Sequence, residues 1–565
     1  MTGREIHWAS LTEPMSPHPR VFQNLQSRPM DITEQYVLEI VSRTRSMADR
    51  CERLNARSHV SAASRLLTIT YCNVCHILAK AAVNIIRESR TAILDTDDAG
   101  GELEPVEDAA PRLDINKEEF DLLRQVDLLL QKLGPRVQIL ENSIPEDLPW
   151  SLVPKFQKVV DALIPKTTVV LCPHWDYSYA VHLVDIYDAL TTELGEFQDY
   201  VEELIQDTVL KNLPRPFFLI YFPPLERKNI LLHSLLGHEL GHILVHNILS
   251  QTDPESDEKE TDVEKRKTNL VSLILPVVRE GVKDDLRAKA IPDDNLFYGP
   301  LLTDSIAQET HSAVLMWERM VVECVSDIVG VTLFGPAALF ASLYVALQDG
   351  LDRFPSEGTQ YYPPWRYRIR WMVRTLEGKV KPRMQDLPPL DKIFFPLPIR
   401  LFDPGLEKKI NQYYEAIRAA TLEEVDIEVL KRNRLSAAIL DHAEKTIEEI
   451  ADTILSTIVE KDLHCAPDRL YTLLPELIAR LDHRIPPNAD ERVADDIKIA
   501  SLAQIMNAAW FHKLSWQGGF WLRAVGGEYL FDEKILQKRD RMNNLTLKAV
   551  EFSEIQREFH RRMDR

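Results

Sequence analysis

Glycine is scarce in this chain, at 19 residues of 565. Tight turns lean on glycine's access to positive φ, so its scarcity favours helix over turn-rich all-β folds. Cysteine is scarcer still. Six cysteines cannot make a disulfide framework in a chain of this length. The first twenty residues, MTGREIHWASLTEPMSPHPR, hold no apolar stretch, and no secretory signal is visible in them. A reducing, cytoplasmic setting is the expectation. Basic residues are also in deficit. Lys and Arg number 67 against 87 Asp and Glu, a formal net charge of -20. A polyanion of that size repels phosphate backbones, which excludes general nucleic-acid binding and leaves solubility as the role of the acidity. No P-loop, dinucleotide fingerprint or Ser-His-Asp signature stands out.

Long apolar runs are nearly absent too. Ile328 to Leu347 runs twenty residues without a charge, long enough to span a membrane. Gly330 and Gly335-Pro336 break it, and Glu323 and Asp327 precede it. Two buried helices meeting at Gly335-Pro336 are the better reading, so no membrane partner is expected.

What is present is mostly helical periodicity. Apolar spacing marks long helices over 31–90 and again over 116–140, with the acidic, Gly- and Pro-containing stretch 94–114 between them as an exposed linker. TTVVLC at 167–172 and PFFLIYF at 216–222 are short β-type runs bounded by prolines. A helix from about 229 to 249 follows. The charged stretch 251–268 reads as a surface loop, and helices follow over about 269–290, 305–333 and 336–349. From about 400 onward the pattern is helical, with breaks near 466 and 486. No internal repeat is visible.

The chemistry sits in LLHSLLGHELGHILVHNIL. On a helix, His238 and His242 lie one turn apart on one face, so two imidazoles reach one metal ion. Glu239, beside the first histidine, can face a metal-bound water as general base. Burying these groups unpaired in so apolar a segment would be costly, which argues against a chance match. The β-type run upstream suits an edge strand that holds substrate beside the metal. Catalytic zinc takes a third protein ligand. Val245 and Ile248 stand where a metzincin needs Gly and His, which excludes that class. In WERMVVECVSDIVG, Glu323 and Asp327 are four apart on one helix face. Glu323 serves as the third ligand. Asp327 is placed to accept a hydrogen bond from the non-ligating nitrogen of a zinc-bound histidine. Glu318, on a different face, is the rival ligand.

HELGH followed by ECVSD resembles the gluzincin peptidases, which pair HExxH with a downstream ExxxD. That resemblance implies zinc held by His238, His242 and Glu323, with Asp327 bonded to His238. Tyr362-Pro363-Pro364-Trp365-Arg366-Tyr367-Arg368-Ile369 resembles the His-Pro-Ser…Arg-Ile segment of the prenyl-protein and heat-shock membrane peptidase family. Tyr362 stands where that family has histidine. It is the first candidate for the catalytic oxyanion donor, with Tyr361, His311 and Tyr298 as alternatives. HELGHILVH also resembles the ImmA/IrrE regulator-cleaving peptidases. The resemblance covers about 215–375. It implies an α+β, predominantly α-helical fold: a gluzincin-like metallopeptidase core with a small β-sheet at 115–400, flanked by helical regions at 1–93 and 401–565. The expected function is a soluble intracellular zinc endopeptidase acting on a protein or peptide substrate. The alternative is a helical interaction or scaffold protein with a structural or inactive zinc site.

Three further features invite function. Cys72-Asn73-Val74-Cys75-His76 matches the c-type haem attachment pattern, but it lies in an apolar helix and reads as a buried face of small residues. As a second metal site it lacks a partner cysteine pair. His246 lies about 12 Å along the helix from His238, too far to share one ion, and reads as a supporting or core residue. Pro173-His174-Trp175-Asp176-Tyr177 reads as a polar-aromatic loop after a strand.

Overall fold

The computed structural model describes residues 32–57, 62–96, 117–142, 150–164, 168–174, 179–184, 217–250, 262–289, 298–351, 363–380, 394–397, 404–422, 434–490, 498–516, 522–525, 528–531 and 533–563. By internal contacts the chain divides into two units. One is Met1–Ser58, Ser64–Glu141 and Tyr187–Leu213. The other is His59–Ala63, Asn142–Ile186 and Pro214–Arg565. The described residues are predominantly α-helical with a small β component.

The first unit is built from α1 (Ile32–Asn55), α2 (Ala62–Thr96) and α3 (Lys117–Asn142). Their apolar positions recur at helical spacing and are buried: Val37, Ile40 and Leu54 on α1, Leu67, Val74 and Leu78 on α2, Leu123, Val126 and Leu133 on α3. Ion pairs Arg43–Asp127 and Arg50–Glu141 tie α1 to α3. Cys72 and Cys75 form a buried face, as the apolar pattern implies, and Cys72 Sγ donates to the carbonyl of Cys51 at 3.0 Å. Ser64–Asn84 of α2 is long and apolar enough to cross a membrane, and 53% of it is buried. Of the linker expected at 94–114, residues 97–114 lie outside the described residues.

The second unit opens with α4 (Val153–Leu163), which packs on β1 (Thr168–Pro173). β2 (Ala180–Val184) and β3 (Phe217–Phe222) complete a three-stranded sheet in the order β1-β3-β2. β3 runs parallel to β1, with Val170 opposite Leu219, and antiparallel to β2, with Ala180 opposite Tyr221. The run at 216–222 is therefore the central strand, not the edge strand expected from the sequence. β2 takes an edge, because the antiparallel partner that occupies the other side of β3 comes from 180–184.

From β3 the chain turns through Pro223-Pro224 and a short 3-10 turn at Leu232–Leu235 into α5 (Leu236–Ser250). α6 (Asp262–Ala288) begins inside the stretch read as a charged loop at 251–268. Its buried Leu270, Ile274 and Val278 recur every fourth residue beyond that stretch. Residues 251–261 lie outside the described residues. α7 (Tyr298–Phe334) is the axis of the unit, packed against α5 and α6, and α8 (Pro336–Asp349) follows it after one residue.

The apolar run 328–347 is thus two buried helices, as its glycine and proline imply. Gly335 has φ +62, a conformation other residues avoid, and Pro336 opens α8. A break buried this deeply needs partners for its backbone groups. Asn507 Oδ1 accepts from Ala337 N at 2.9 Å, its Nδ2 donates to Phe334 O at 2.7 Å, and Ser234 Oγ donates to Ala337 O at 3.1 Å.

α9 (Trp365–Leu376) packs on α7 and on α10 (Pro404–Leu422), while α11 (Arg434–Glu460) packs on α6 and α7. α12 (Pro467–Asp482), a two-residue ladder of β4 (Ala489–Asp490) with β5 (Lys498–Ile499), α13 (Leu502–Ser515), the hairpin β6 (Leu522–Val525) and β7 (Glu528–Phe531), and α14 (Glu533–Met563) complete the unit.

Candidate metal centre

The site is made where α5 and α7 come closer than ordinary side chains allow. Gly241 of α5 faces the backbone of Ser326 on α7, and an added Cβ would sit 2.5 Å from Ser326 Cα. Gly237 faces Gly330 and the ring of Phe334 in the same way, at 3.1 Å and 2.7 Å. These contacts bring the histidines of one helix against the carboxylates of the other.

His238 Nδ1 lies 2.8 Å from Asp327 Oδ1. That bond fixes the ring and turns Nε2 toward Glu323, with Arg368 Nη2 3.5 Å from it. His238 Nε2 is 3.4 Å from Glu323 Oε2, and His242 Nε2 is 3.7 Å from Glu323 Oε1. The two rings meet edge to face with centroids 4.5 Å apart. Glu239 is 5% exposed. Among the described residues, His238, Glu239 and His242 each place a donor atom within 4.8 Å of the other two. The four residues singled out around HExxH and ExxxD, with Glu239, therefore come together.

Arg368 joins them from α9 and was visible in the sequence only as part of a longer segment. Its Nε and Nη2 fork onto Asp327 at 2.7 and 3.0 Å, and its Nη1 lies 3.2 Å from Glu323 Oε2. Its guanidinium also lies 4.1 Å over the Trp365 ring. Tyr367, Ile369, Trp371 and Met372 around it are buried. An arginine in such a helix segment signals a buried counter-charge, though nothing in the segment names its partners.

These charges set one another. Burial disfavours ionised Glu323, but Arg368 and then the histidines hold it well below the usual carboxylate range. Asp327 is held down likewise by Arg368 and His238 against the cost of burial. Burial disfavours a charged His238, yet Asp327 outweighs it and lifts the ring to about 10. Burial, with the neighbouring His238, pushes His242 down to about 3. Burial lifts Glu239 to about 7, against the opposing pull of His238 and Arg368. Glu323 and Asp327 thus meet both the Arg368 guanidinium and the His238 ring, and Arg319 Nη1 lies 3.8 Å from Glu323 Oε1.

Other candidates fall elsewhere. Glu318 pairs with Lys267 of α6, so the rival ligand faces away from the histidines. His246 is exposed rather than a core or supporting residue. His311 is exposed on α7, three turns before Glu323. Tyr361, Tyr362 and residues 175–177 lie outside the described residues, as does the side chain of Tyr298. His233, in the 3-10 turn before α5, carried no signal in the sequence. It is fully buried, edge-on to Phe222, with its ring nitrogens near Tyr179 Oη at 3.3 Å and Arg227 O at 3.4 Å. Burial pushes it down to about 4.

No family model, curated protein or solved structure matches this chain.

Proposed function

We propose that the chain is a zinc-dependent endopeptidase with a gluzincin-like core. The observation that carries this is the convergence of His238 Nε2, His242 Nε2 and Glu323, with Asp327 taking the other nitrogen of His238. Two donors about 2.0–2.1 Å from one tetrahedral ion lie roughly 3.4 Å apart. Each histidine stands near that spacing from one oxygen of Glu323, His238 Nε2 at 3.4 Å from Oε2 and His242 Nε2 at 3.7 Å from Oε1. Two imidazoles and one carboxylate are also the donor set that hydrolytic zinc takes, with a fourth position left for water.

Bound zinc would supply Lewis acidity toward that water and the scissile carbonyl. Glu239 takes a proton from the attacking water and delivers it to the leaving amine. Asp327 keeps the His238 ring in one tautomer. Arg368 neutralises Asp327 and fixes Oε2 of Glu323, while Oε1 lies between His242 at 3.7 Å and Arg319 at 3.8 Å. β2, an edge of the sheet among the described residues, packs beside α5 and is placed to pair with an extended peptide. The oxyanion donor is proposed to be Tyr362.

The test is metal content and cleavage in the wild type and in Glu239→Gln. About one zinc per chain is expected in both. Comparative proteomics of cells expressing each should show cleavage products only with the wild type. A wild type without zinc, or a Glu239→Gln variant that cleaves normally, would overturn the proposal.

A further inference from the structure

Behind the helix pair that carries the site lies a cleft of about 820 Å³. None of the candidate ligands lines it. In a chain with a net charge of -20, its walls carry five cationic side chains and three carboxylates. The cations concentrate where α4 meets α14. Lys155 Nζ is 2.5 Å from Glu554 Oε2, and Arg561 Nη2 is 3.8 Å from Glu554 Oε1. Arg561 reaches Glu558 on its solvent side at 3.0 Å. Arg557 donates Nη2 to the carbonyl of Ala500 at 2.7 Å. Two cations thus pair with one carboxylate beside a third, Arg557, and Lys155 and Glu554 are only 11% and 13% exposed.

That arrangement carries a cost. Burial, with Arg557 adding to it, pushes Lys155 down to about 8, and burial lowers Arg557 as well. A second anion would relieve both. The cleft offers more to such a guest. The floor is apolar, from Phe156 and Phe334. Clefts of this volume take small organic molecules rather than bare ions.

We propose that this cleft binds a small phosphate ester with an apolar or aromatic body. Lys155, Arg557 and Arg561 hold the phosphate, and the body rests on Phe156 and Phe334. A phosphate dianion matches three cations better than a carboxylate does, and its oxygens accept forked guanidinium bonds. Phe334 is also the ring packed against Gly237, next to His238, so an occupant lies one side chain away from the candidate metal centre.

The experiment is calorimetric titration of the full chain carrying Glu239→Gln, which keeps the outcome independent of peptidase activity. The probes are phenyl phosphate, hexyl phosphate, hexanoate and inorganic phosphate. Saturable binding of both phosphate esters at about millimolar concentration or below is expected. Inorganic phosphate and hexanoate should bind at least about tenfold more weakly, since each lacks one of the two features recognised. Adding Arg561→Glu, an exposed position, or Lys155→Met should weaken ester binding at least about tenfold, the effect of losing one charge-assisted contact. Both variants must keep the parent's circular dichroism spectrum. No ester binding at millimolar concentration, hexanoate binding as tight as hexyl phosphate, or equal affinity in both variants and the parent would each overturn the proposal.

Discussion

Replacing Gly241 with alanine adds one methyl group at the closest contact between α5 and α7. That Cβ would lie 2.5 Å from Ser326 Cα, 2.9 Å from its Cβ and 3.0 Å from its carbonyl oxygen. Ordinary carbon contacts fall at about 3.5–4.0 Å, so the helices must part by roughly 1 Å. The obstacle is backbone, and no rotamer change relieves it. Overpacking of this kind costs about 1–3 kcal/mol, and alanine's better helix propensity returns about 1 kcal/mol. The fold should therefore survive. The site should not, because Glu323 lies one turn from Ser326 on the helix that moves, while metal–ligand distances tolerate only about 0.2 Å. Zinc affinity should fall at least about 100-fold, the upper end of what disturbing a ligand's support costs. Competition with a fluorescent chelator measures the affinity, and a thermal melt checks the fold. Gly281→Ala on α6 is the control, since nothing lies within 4 Å of its added Cβ. It should keep full zinc affinity. Wild-type zinc affinity in Gly241→Ala would refute the claim that this contact sets the ligand geometry.

Arg368→Met removes the guanidinium shared by Asp327 and Glu323 and should destabilise the metal-free protein by roughly 3–5 kcal/mol in urea melts. Arg368→Lys should not restore it, because an ammonium cannot fork onto Asp327; a loss under about 1 kcal/mol in the first variant would show that the carboxylates need no fixed partner. Asn507→Leu strands Ala337 N and Phe334 O in the core and should cost about 3 kcal/mol or more. A near-neutral result would mean that the break at Gly335 finds other partners. His233 makes acid stability predictable. Its ring titrates at about 4 when folded and near 6.5 when unfolded, so the unfolded chain binds the extra proton between those values. Its contribution is complete above pH 6.5 and is lost as pH falls through 4, up to roughly 3 kcal/mol. His233→Phe should flatten the fall in unfolding free energy between pH 7 and pH 4.5, and an unchanged slope would sink the assignment.

The parts of the site that the sequence made legible are those within one helical turn. His238, Glu239 and His242 share a face because of helical periodicity alone, and the same rule pairs Glu323 with Asp327. The break at Gly335-Pro336 was legible for a similar reason, since two adjacent residues carry the instruction. Contacts between distant segments were not. Arg368 meets Asp327 across 41 positions, and Asn507 reaches Phe334 across 173. No local pattern distinguishes those side chains from others of their type. Glu318 and Glu323 were separable only by face, and it took Lys267 on another helix to show which face turns outward. The sheet order was hidden for the same reason. The apolar run at 217–222 looks alike as an edge or as a centre until β2 is seen beside it.

Gly241 shows why a motif can be recognised before its mechanics are. Within HELGH it stands at a position where the pattern asks for no particular residue, and spacing gives it no role. Its function depends on Ser326, 85 positions later, whose backbone occupies the space a side chain would need. Gly237 and Gly330 repeat the arrangement one turn away, so α5 and α7 meet along a stripe rather than at a point. In a chain with few glycines, three of them fall on this one contact. Glycine weakens a helix by about 1 kcal/mol per residue relative to alanine. That cost is offset here by a helix approach close enough for Glu323 to reach both histidines. The candidate ligand set and the glycine stripe are therefore one device: the first would supply the donor atoms, and the second sets the distance between them.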